Sequence, residues 1–571
     1  MADTERVEDV EKAGKAGPAG RAAAVIGVLG AGTMGSGIAQ LAARSGAQTL
    51  LHDPIPDALE RGLQRAGDGF RKEAARGRIT AEEAQAAAER LHAVDELAAF
   101  APCELVIEAV PERIELKHDL YRQLSEIVSG ECVLASNTSS LLVTAIAAAA
   151  SGPERVVGMH FFNPAPVMRL LEVVAGEQSS PEALALADAT GEAMGKTVIR
   201  AFDGPGFLVN RCNRPFGLEA LRLLQERIAD VQEIDRICRM EGGFRMGPFE
   251  LMDLVGVDTG FEISKSFFEQ SFGEPRWRPS PIAARYVAAG LHGRKTGRGY
   301  YDYGGEAGAA GHRPQDPGPI DTAAPGHGEG VIVISGTGVL AEELRAAAGE
   351  AGYEVRTPHA PTGGVLPALV LDCDRGPLEG GEQASSPARR PDRRGAPPPT
   401  QGGASLVLCA RGSLSALDPD GSAVGFHVLP PFGEAGLVEL TRAESSSPLA
   451  AERAERFFAA LGKHVAWVGD APGLVLGRIV CQVINESAFA LGEGVGSARD
   501  IDLGMVLGLS HPRGPFEWAD AIGLDHVLTV LESLCGEYRE ERYRPAPALR
   551  RLVAAGRLGR ASGAGFFEYE T

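Results

Sequence analysis

The chain has 571 residues, 44 % of them apolar and 23 % charged, with a formal net charge of −20. That length is too great for one core and predicts several domains, while the acidity excludes nucleic acid and anionic lipid as partners. No apolar run approaches the roughly 18 residues of a membrane span, and eight scattered Cys without C-x-x-C pairs argue against disulfides or zinc and for the cytoplasm.

Residues 1–22 are charged and have no apolar centre, so they read as a disordered leader and not as a secretion signal. The stretch "AAAVIGVLGAGTMGSGIAQLAARSGAQTLLHDP" then predicts a buried parallel strand, a glycine loop, a helix and a second strand ending at Asp53. The loop holds Gly30, Gly32 and Gly35, with Thr33 and Met34 between them. These glycines suit a tight turn, close approach of a pyrophosphate, and close packing of helix on strand. The phosphates would sit at the helix N-terminus, where free N–H groups favour anions. Asp53, eighteen residues past the third glycine, would take a ribose hydroxyl and repel a 2′-phosphate. The expected cofactor is NAD.

"RGLQRAGDGFRKEAARGRI" follows in a helical pattern and carries Arg61, Arg65, Arg71, Lys72, Arg76 and Arg78. It is either a solvated charged face or a local basic patch for a phosphate-bearing ligand. "CELVIEAVPERIELKHDL" and "ECVLASNTSSLL" predict two more strands, whose ends fall on the ligand-binding edge of such a sheet.

"GMHFFNPAPVMRLLEVV" predicts two short strands around a Pro-rich turn, with His160 and Glu172 facing each other across it. A carboxylate beside an imidazole fixes its tautomer and stabilises its protonated form, as a general base for a hydroxyl proton requires. On spacing alone, a purely structural His–Glu bond explains the pair equally well.

With these strings on the page, the sequence resembles the 3-hydroxyacyl-CoA dehydrogenase family over residues 23–304. "GAGTMG", "VIEAVPE", "ASNTSSL", "HFFNPAPVM", "PGFLVNR", "MGPFELMDLVGVD" and "GRKTGRGYY" occur in the family's order. The resemblance implies oxidation of (S)-3-hydroxyacyl-CoA by NAD, with His160 as base and Glu172 as its partner. It implies that Ser139 and Asn210 contact the substrate. It implies that Glu112, Lys117, Ser139, Asn163 and Lys295 contact NAD. The basic segment would lie near the CoA, and a helical domain would cover the cleft and supply a dimer surface. A chain of this size with a partial second copy resembles enzymes of the 3-hydroxybutyryl-CoA and 3-hydroxyadipyl-CoA type, in fatty-acid or phenylacetate catabolism. The alternatives are a dehydrogenase of a CoA-free hydroxy acid or sugar, and a non-catalytic NAD-binding protein.

The second half repeats the first. His427, Glu439, Pro472, Gly473, Gly514, Pro515 and Phe516 each lie 267 residues beyond His160, Glu172, Pro205, Gly206, Gly247, Pro248 and Phe249. The copy is degraded upstream. His359 stands where Asp53 did, Gly376 replaces Glu112, Pro430 replaces Asn163, Gly477 replaces Asn210, and Ala561 replaces Lys295. Ser413 corresponds to Ser139. From first glycine to His the copy runs 91 residues instead of 130, so whole helices should be missing. The expectation is no NAD in the copy, and a His427–Glu439 pair kept as a structural hydrogen bond.

The expected architecture is an α/β Rossmann-type NAD-binding domain plus an all-α domain, the pair repeated with the second α/β copy truncated. The expected boundaries are a leader over 1–22, a Rossmann domain over 23–203, a helical domain over 204–303 and a linker over 304–328. A degenerate Rossmann-like domain over 329–470, with a low-complexity insertion over 376–405, and a second helical domain over 471–571 follow. Two helical domains in one chain are expected to pack together, and the chain leaves room for a homodimer.

Overall fold

The computed structural model describes residues 20–304, 315–320, 328–358, 366–376 and 404–570. Most of the expected leader, linker and insertion, and His359, lie outside the described residues. The chain divides into two compact units, Met1–Leu208 and Val209–Thr571.

In the first unit the elements run β1 (Val25–Leu29), α1 (Thr33–Arg44), β2 (Gln48–His52), α2 (Pro56–Ala75), α3 (Ala81–Glu89), β3 (Leu91–Ala93) and β4 (Leu105–Glu108). Then come α4 (Ile114–Ile127), β5 (Val133–Ser136), α5 (Val143–Ala147), β6 (Val156–Phe161), β7 (Leu170–Ala175), α6 (Pro181–Ala193) and β8 (Thr197–Phe202). They form one eight-stranded sheet in the order β3-β2-β1-β4-β5-β6-β7-β8. Only the β6–β7 pair is antiparallel. Apolar runs such as "VIGVL" are buried because helices cover the faces of such a sheet, and Ile26, Val28, Ile38, Leu41, Ile107, Met159 and Val173 share its core. Parallel register sets Leu29 beside Glu108 and Glu108 beside Ser136, so three strands end level at one edge. That edge is where ligands bind in open parallel sheets.

The second unit opens with helices α7 (Val209–Cys212), α8 (Arg214–Gln225), α9 (Val231–Met240), α10 (Pro248–Val255), α11 (Val257–Gln270) and α12 (Pro281–Ala288). The α/β copy follows as β9 (Val331–Ser335), α13 (Val339–Glu350), β10 (Glu354–Arg356), β11 (Leu369–Asp372), β12 (Ala404–Leu408), α14 (Leu414–Leu417), β13 (Val424–His427), β14 (Leu437–Arg442), α15 (Pro448–Ala460) and β15 (His464–Trp467). Its seven strands keep the first sheet's order without a counterpart of β3: β10-β9-β11-β12-β13-β14-β15. Among the described residues it also has no counterpart of α2, α3 or α4. Among the described residues the copy therefore keeps the central strands without these helices and without that edge strand.

The chain ends with α16 (Leu476–Gly492), α17 (Ala498–Leu509), α18 (Pro515–Ile522), α19 (Leu524–Tyr538) and α20 (Pro547–Ala554). The two helical repeats do pack together, chiefly α8 on α16. No helix among the described residues is long and apolar enough to cross a membrane.

Candidate active site and cofactor cradle

The three loop glycines have three different reasons. Gly30 has φ +90°, and a Cβ there would lie 2.6 Å from the Ala109 carbonyl. A Cβ on Gly35 would lie 1.7 Å from the Gly30 carbonyl, so this position demands close helix–strand packing. Gly32 caps α1 with no side-chain bond, and a Cβ there would meet nothing within 4 Å. The N-terminus of α1 is therefore open to an anion beside a loop with no side chain in the way. Thr33 is exposed there and Met34 packs partly against the core. Asp53 accepts from the Ala31 N–H at 2.8 Å and the Ile55 N–H at 3.0 Å, which ties the end of β2 to the glycine loop. A carboxylate has about four acceptor sites, so it retains capacity for a ribose hydroxyl. These features fit a dinucleotide, whose nicotinamide supplies hydride acceptance when bound.

At the ends of β4 and β5, Glu112 organises the polar loop. Its Oε1 accepts from the Ser139 N–H at 3.0 Å, the Ser140 N–H at 3.1 Å and the Thr138 hydroxyl. Burial raises its pKa, but Lys117 and the Thr138 and Ser139 bonds outweigh that and hold the carboxyl below its ordinary value. Lys117 is 1 % exposed, with its ammonium 2.8 Å from both Glu108 oxygens, 3.1 Å from Glu112 and 3.3 Å from the Ser136 hydroxyl. Lys117 thus reaches the loop through Glu112. Ser139 stands exposed beyond it. Asn137, which the sequence did not single out, accepts from the Phe161 N–H at 2.8 Å and ties the loop to the strand bearing His160.

His160 and Glu172 are register partners across the β6–β7 ladder. Glu172 Oε2 lies 2.6 Å from His160 Nδ1, and its Oε1 accepts from the Leu208 N–H at 3.2 Å. Glu172 is fully buried, and His160 is 6 % exposed between Phe162 and Phe207, at ring separations of 4.7 and 5.8 Å. With Nδ1 held by the carboxylate, Nε2 is the nitrogen left for proton transfer. Asn163 is exposed in the turn joining the two strands.

Of the basic segment, Arg65 turns back onto the Ala31 carbonyl and the Ser36 hydroxyl, and Arg71 pairs with Asp68. Arg61, Lys72, Arg76 and Arg78 are exposed. Asn210 and Lys295 belong to the second unit. Asn210 is in α7, its carbonyl accepting from Arg214 at 3.3 Å, and Lys295 pairs with Asp258 at 2.6 Å.

The second His–Glu pair corrects the expectation of a structural hydrogen bond. His427 and Glu439 are again register partners, but they are not bonded. Glu439 accepts from the Val475 N–H at 2.7 Å and the Leu476 N–H at 2.8 Å, at the start of α16. The Nδ1 of His427 has no partner among the described residues, and its Nε2 faces His526 at 3.4 Å. The physical reason is Gly477. A Cβ there would lie 2.2 Å from the imidazole, so α16 lies directly on a ring that is fully buried. The helix covers the place where a substrate would stand.

Comparison with known proteins identifies the family. The family model described as 3-hydroxyacyl-CoA dehydrogenase, NAD binding domain, matches residues 25–204. The 3-hydroxyacyl-CoA dehydrogenase C-terminal domain model matches twice, at 206–303 and 473–569. The chain is 34 % identical to 3-hydroxyadipyl-CoA dehydrogenase of Escherichia coli, over 91 % of this chain and 95 % of that one. It is 41 % identical to a probable 3-hydroxybutyryl-CoA dehydrogenase of Deinococcus radiodurans, over 48 % of this chain and 98 % of that one. A crystal structure of 3-hydroxybutyryl-CoA dehydrogenase from Escherichia coli superposes with a TM-score of 0.74 at 32 % identity, covering 94 % of this chain and all of that one. Its two complete C-terminal repeats and its NAD-binding half make this chain a member of the 3-hydroxyacyl-CoA dehydrogenase family.

Proposed function

We propose that the protein oxidises (S)-3-hydroxyacyl-CoA to 3-oxoacyl-CoA with NAD⁺, in acyl-CoA catabolism. The observation that carries this reading is the buried His160–Glu172 pair at 2.6 Å on the sheet beside the cofactor cradle. Nε2 of His160 takes the 3-hydroxyl proton as the C3 hydride leaves. Glu172 keeps the Nδ1 proton in place and stabilises the imidazolium that forms. Ser139 orients the reacting oxygen. Gly30, Gly32, Thr33, Met34, Gly35 and Asp53 hold the dinucleotide, joined by Glu112, Ser139 and Asn163. Lys117 serves the same loop by clamping Glu112.

An acyl-CoA is the ligand class that the relatives' names support. Those names divide between hydroxyadipyl and hydroxybutyryl substrates, so both belong in the test. We propose a cytoplasmic enzyme on the grounds of its reduced, scattered cysteines. In a homodimer the second copy would be held elsewhere than on the joined faces of the helical repeats.

The test is NADH formation from a panel of (S)-3-hydroxyacyl-CoAs, with wild type, His160→Gln and His427→Gln compared. Loss of turnover in His160→Gln alone supports one catalytic centre. Comparable loss in a folded His427→Gln would overturn it. Absence of activity on every acyl-CoA would favour the CoA-free and the non-catalytic readings.

A further inference from the structure

The two helical repeats meet through reciprocal contacts, Arg211 with Glu486 and Arg478 with Glu219, so each inter-repeat position has a counterpart. At one position the two versions differ. On one side, Phe489 of α16 lies under the guanidinium groups of Arg276 and Arg544, at 4.0 and 4.7 Å from its ring centre. Asn485, one turn earlier, donates to the Arg544 carbonyl at 3.0 Å and accepts from the Ala546 N–H at 2.7 Å. That side is filled and tied.

On the other side the matching residues are Arg222 for Phe489, Leu218 for Asn485, Arg542 for Arg276 and Arg278 for Arg544. No ring fills the space, and a cavity of about 300 Å³ remains. Arg222, Arg278 and Arg542 line it together with Gln225, and the lining contains one carboxylate, Glu540. Glu540 is already engaged, accepting from Arg222 at 3.1 and 2.8 Å and lying 2.9 Å from Arg542 Nε. Arg542 is 6 % exposed, and burial lowers its pKa from the ordinary value, the mark of an under-compensated buried cation. Arg278 is exposed and has no ion pair among the described residues. Three guanidinium groups against one carboxylate, in a chain of net charge −20, form a local anion site. Leu218 and Pro281 supply an apolar wall, which a bare ion would not use.

We propose that this cavity binds a small phosphate-bearing anion at the junction of the two helical repeats. The guanidinium forks of Arg222, Arg278 and Arg542 would contact the phosphate oxygens, and the Leu218 side would take an organic substituent. At the matching position of the other side Phe489 occupies the space, so the site exists once among the described residues.

Isothermal titration of the full chain with inorganic phosphate and with phenyl phosphate tests this, alongside Arg278→Gln and Arg222→Phe. Arg278→Gln removes an unpaired exposed side chain and should keep the fold. Arg222→Phe recreates the plug found on the other side, and its folding is checked by thermal melting without ligand. Saturable binding is expected in wild type, weakened about tenfold in Arg278→Gln, the loss of one charge-assisted contact. Binding should vanish in Arg222→Phe. Tighter phenyl phosphate than phosphate assigns an ester, and equal affinity assigns the free ion. No saturation by either probe at about 10 mM, or unchanged affinity in folded Arg278→Gln, overturns the proposal.

Discussion

Arg211 and Arg478 occupy equivalent places in the two helical repeats, 267 residues apart, and each donates to the glutamates at the matching places in the other. Arg211 reaches Glu486 at 2.9 Å and Glu493 at 2.6 Å, and Arg478 reaches Glu219 and Glu226, the latter at 2.6 and 3.0 Å. Contact i-to-j and j-to-i is the pattern of an isologous interface, here within one chain. Arg478 is fully buried, and Tyr543 also donates to Glu219, at 2.9 Å. Arg478→Ala would leave buried carboxylate charge unpaired. Urea unfolding should show a loss of about 3–5 kcal/mol, with Arg211→Ala in the same direction.

His160→Gln should lower kcat by about a hundred- to ten-thousand-fold with the melting temperature nearly unchanged. Glu172→Gln should do two things, because Glu172 also accepts from the Leu208 N–H. Turnover should fall as the imidazolium formed in the reaction loses its counter-charge, and the melting temperature should drop as the hold on the Leu208 N–H weakens. Unchanged turnover in a folded Glu172→Gln would argue against the base–carboxylate assignment.

His427→Gln should leave NADH formation nearly intact. Gly477→Asn, which restores the residue type of the first copy, should not create a second centre. Its Cβ would stand 2.2 Å from the His427 ring, in space α16 leaves to no side chain. A destabilisation of about 1–3 kcal/mol, read by urea unfolding, is the expected outcome.

Glu241 and Glu439 lie together in the core of the second unit, and burial raises the pKa of both above the ordinary 4.5; Glu439 also opposes the charging of Glu241, whereas the hydrogen bond from Glu241 favours the charged form of Glu439. A raised carboxyl pKa means that the folded state holds its proton longer than the unfolded chain. The contribution is therefore complete below 4.5 and is lost as pH rises above it. Asp235, pushed up to about 7 by burial, acts in the same sense. Buried His511 and His526, pulled down to about 4, act oppositely and lose stability as pH falls from 6.5. Glu241→Gln removes one carboxyl from the pair. Its stability relative to wild type should improve steadily from pH 5 to pH 9, measured by urea unfolding across that range.

Much of the site was legible because it rests on backbone rules. A spacing of twelve from His160 to Glu172 around a Pro-rich turn placed them opposite each other, and three glycines at the start of a helix marked the anion cradle. The duplication was legible as an offset of 267 residues that shortens to 266 toward the end of the helical repeat. What the sequence could not show was how one partner is taken over by another. Glu439 keeps its place in the strand, yet its oxygens turn to the Val475 and Leu476 amides because a glycine lets α16 descend onto His427. Nor does Asn137 carry a local signal, and Lys117 is named only through the resemblance, as an NAD contact. Asn137 acts through a backbone amide on a neighbouring strand, and Lys117 through carboxylates.

The covalent join between the two helical repeats has a consequence for how the protein responds to its own concentration. Separate subunits meeting through Arg–Glu pairs of this kind come apart by mass action as they are diluted. Here the partner face travels on the same chain, so its local concentration is fixed by the connecting residues and not by expression level. The degraded half of the molecule is a subunit that cannot be diluted away.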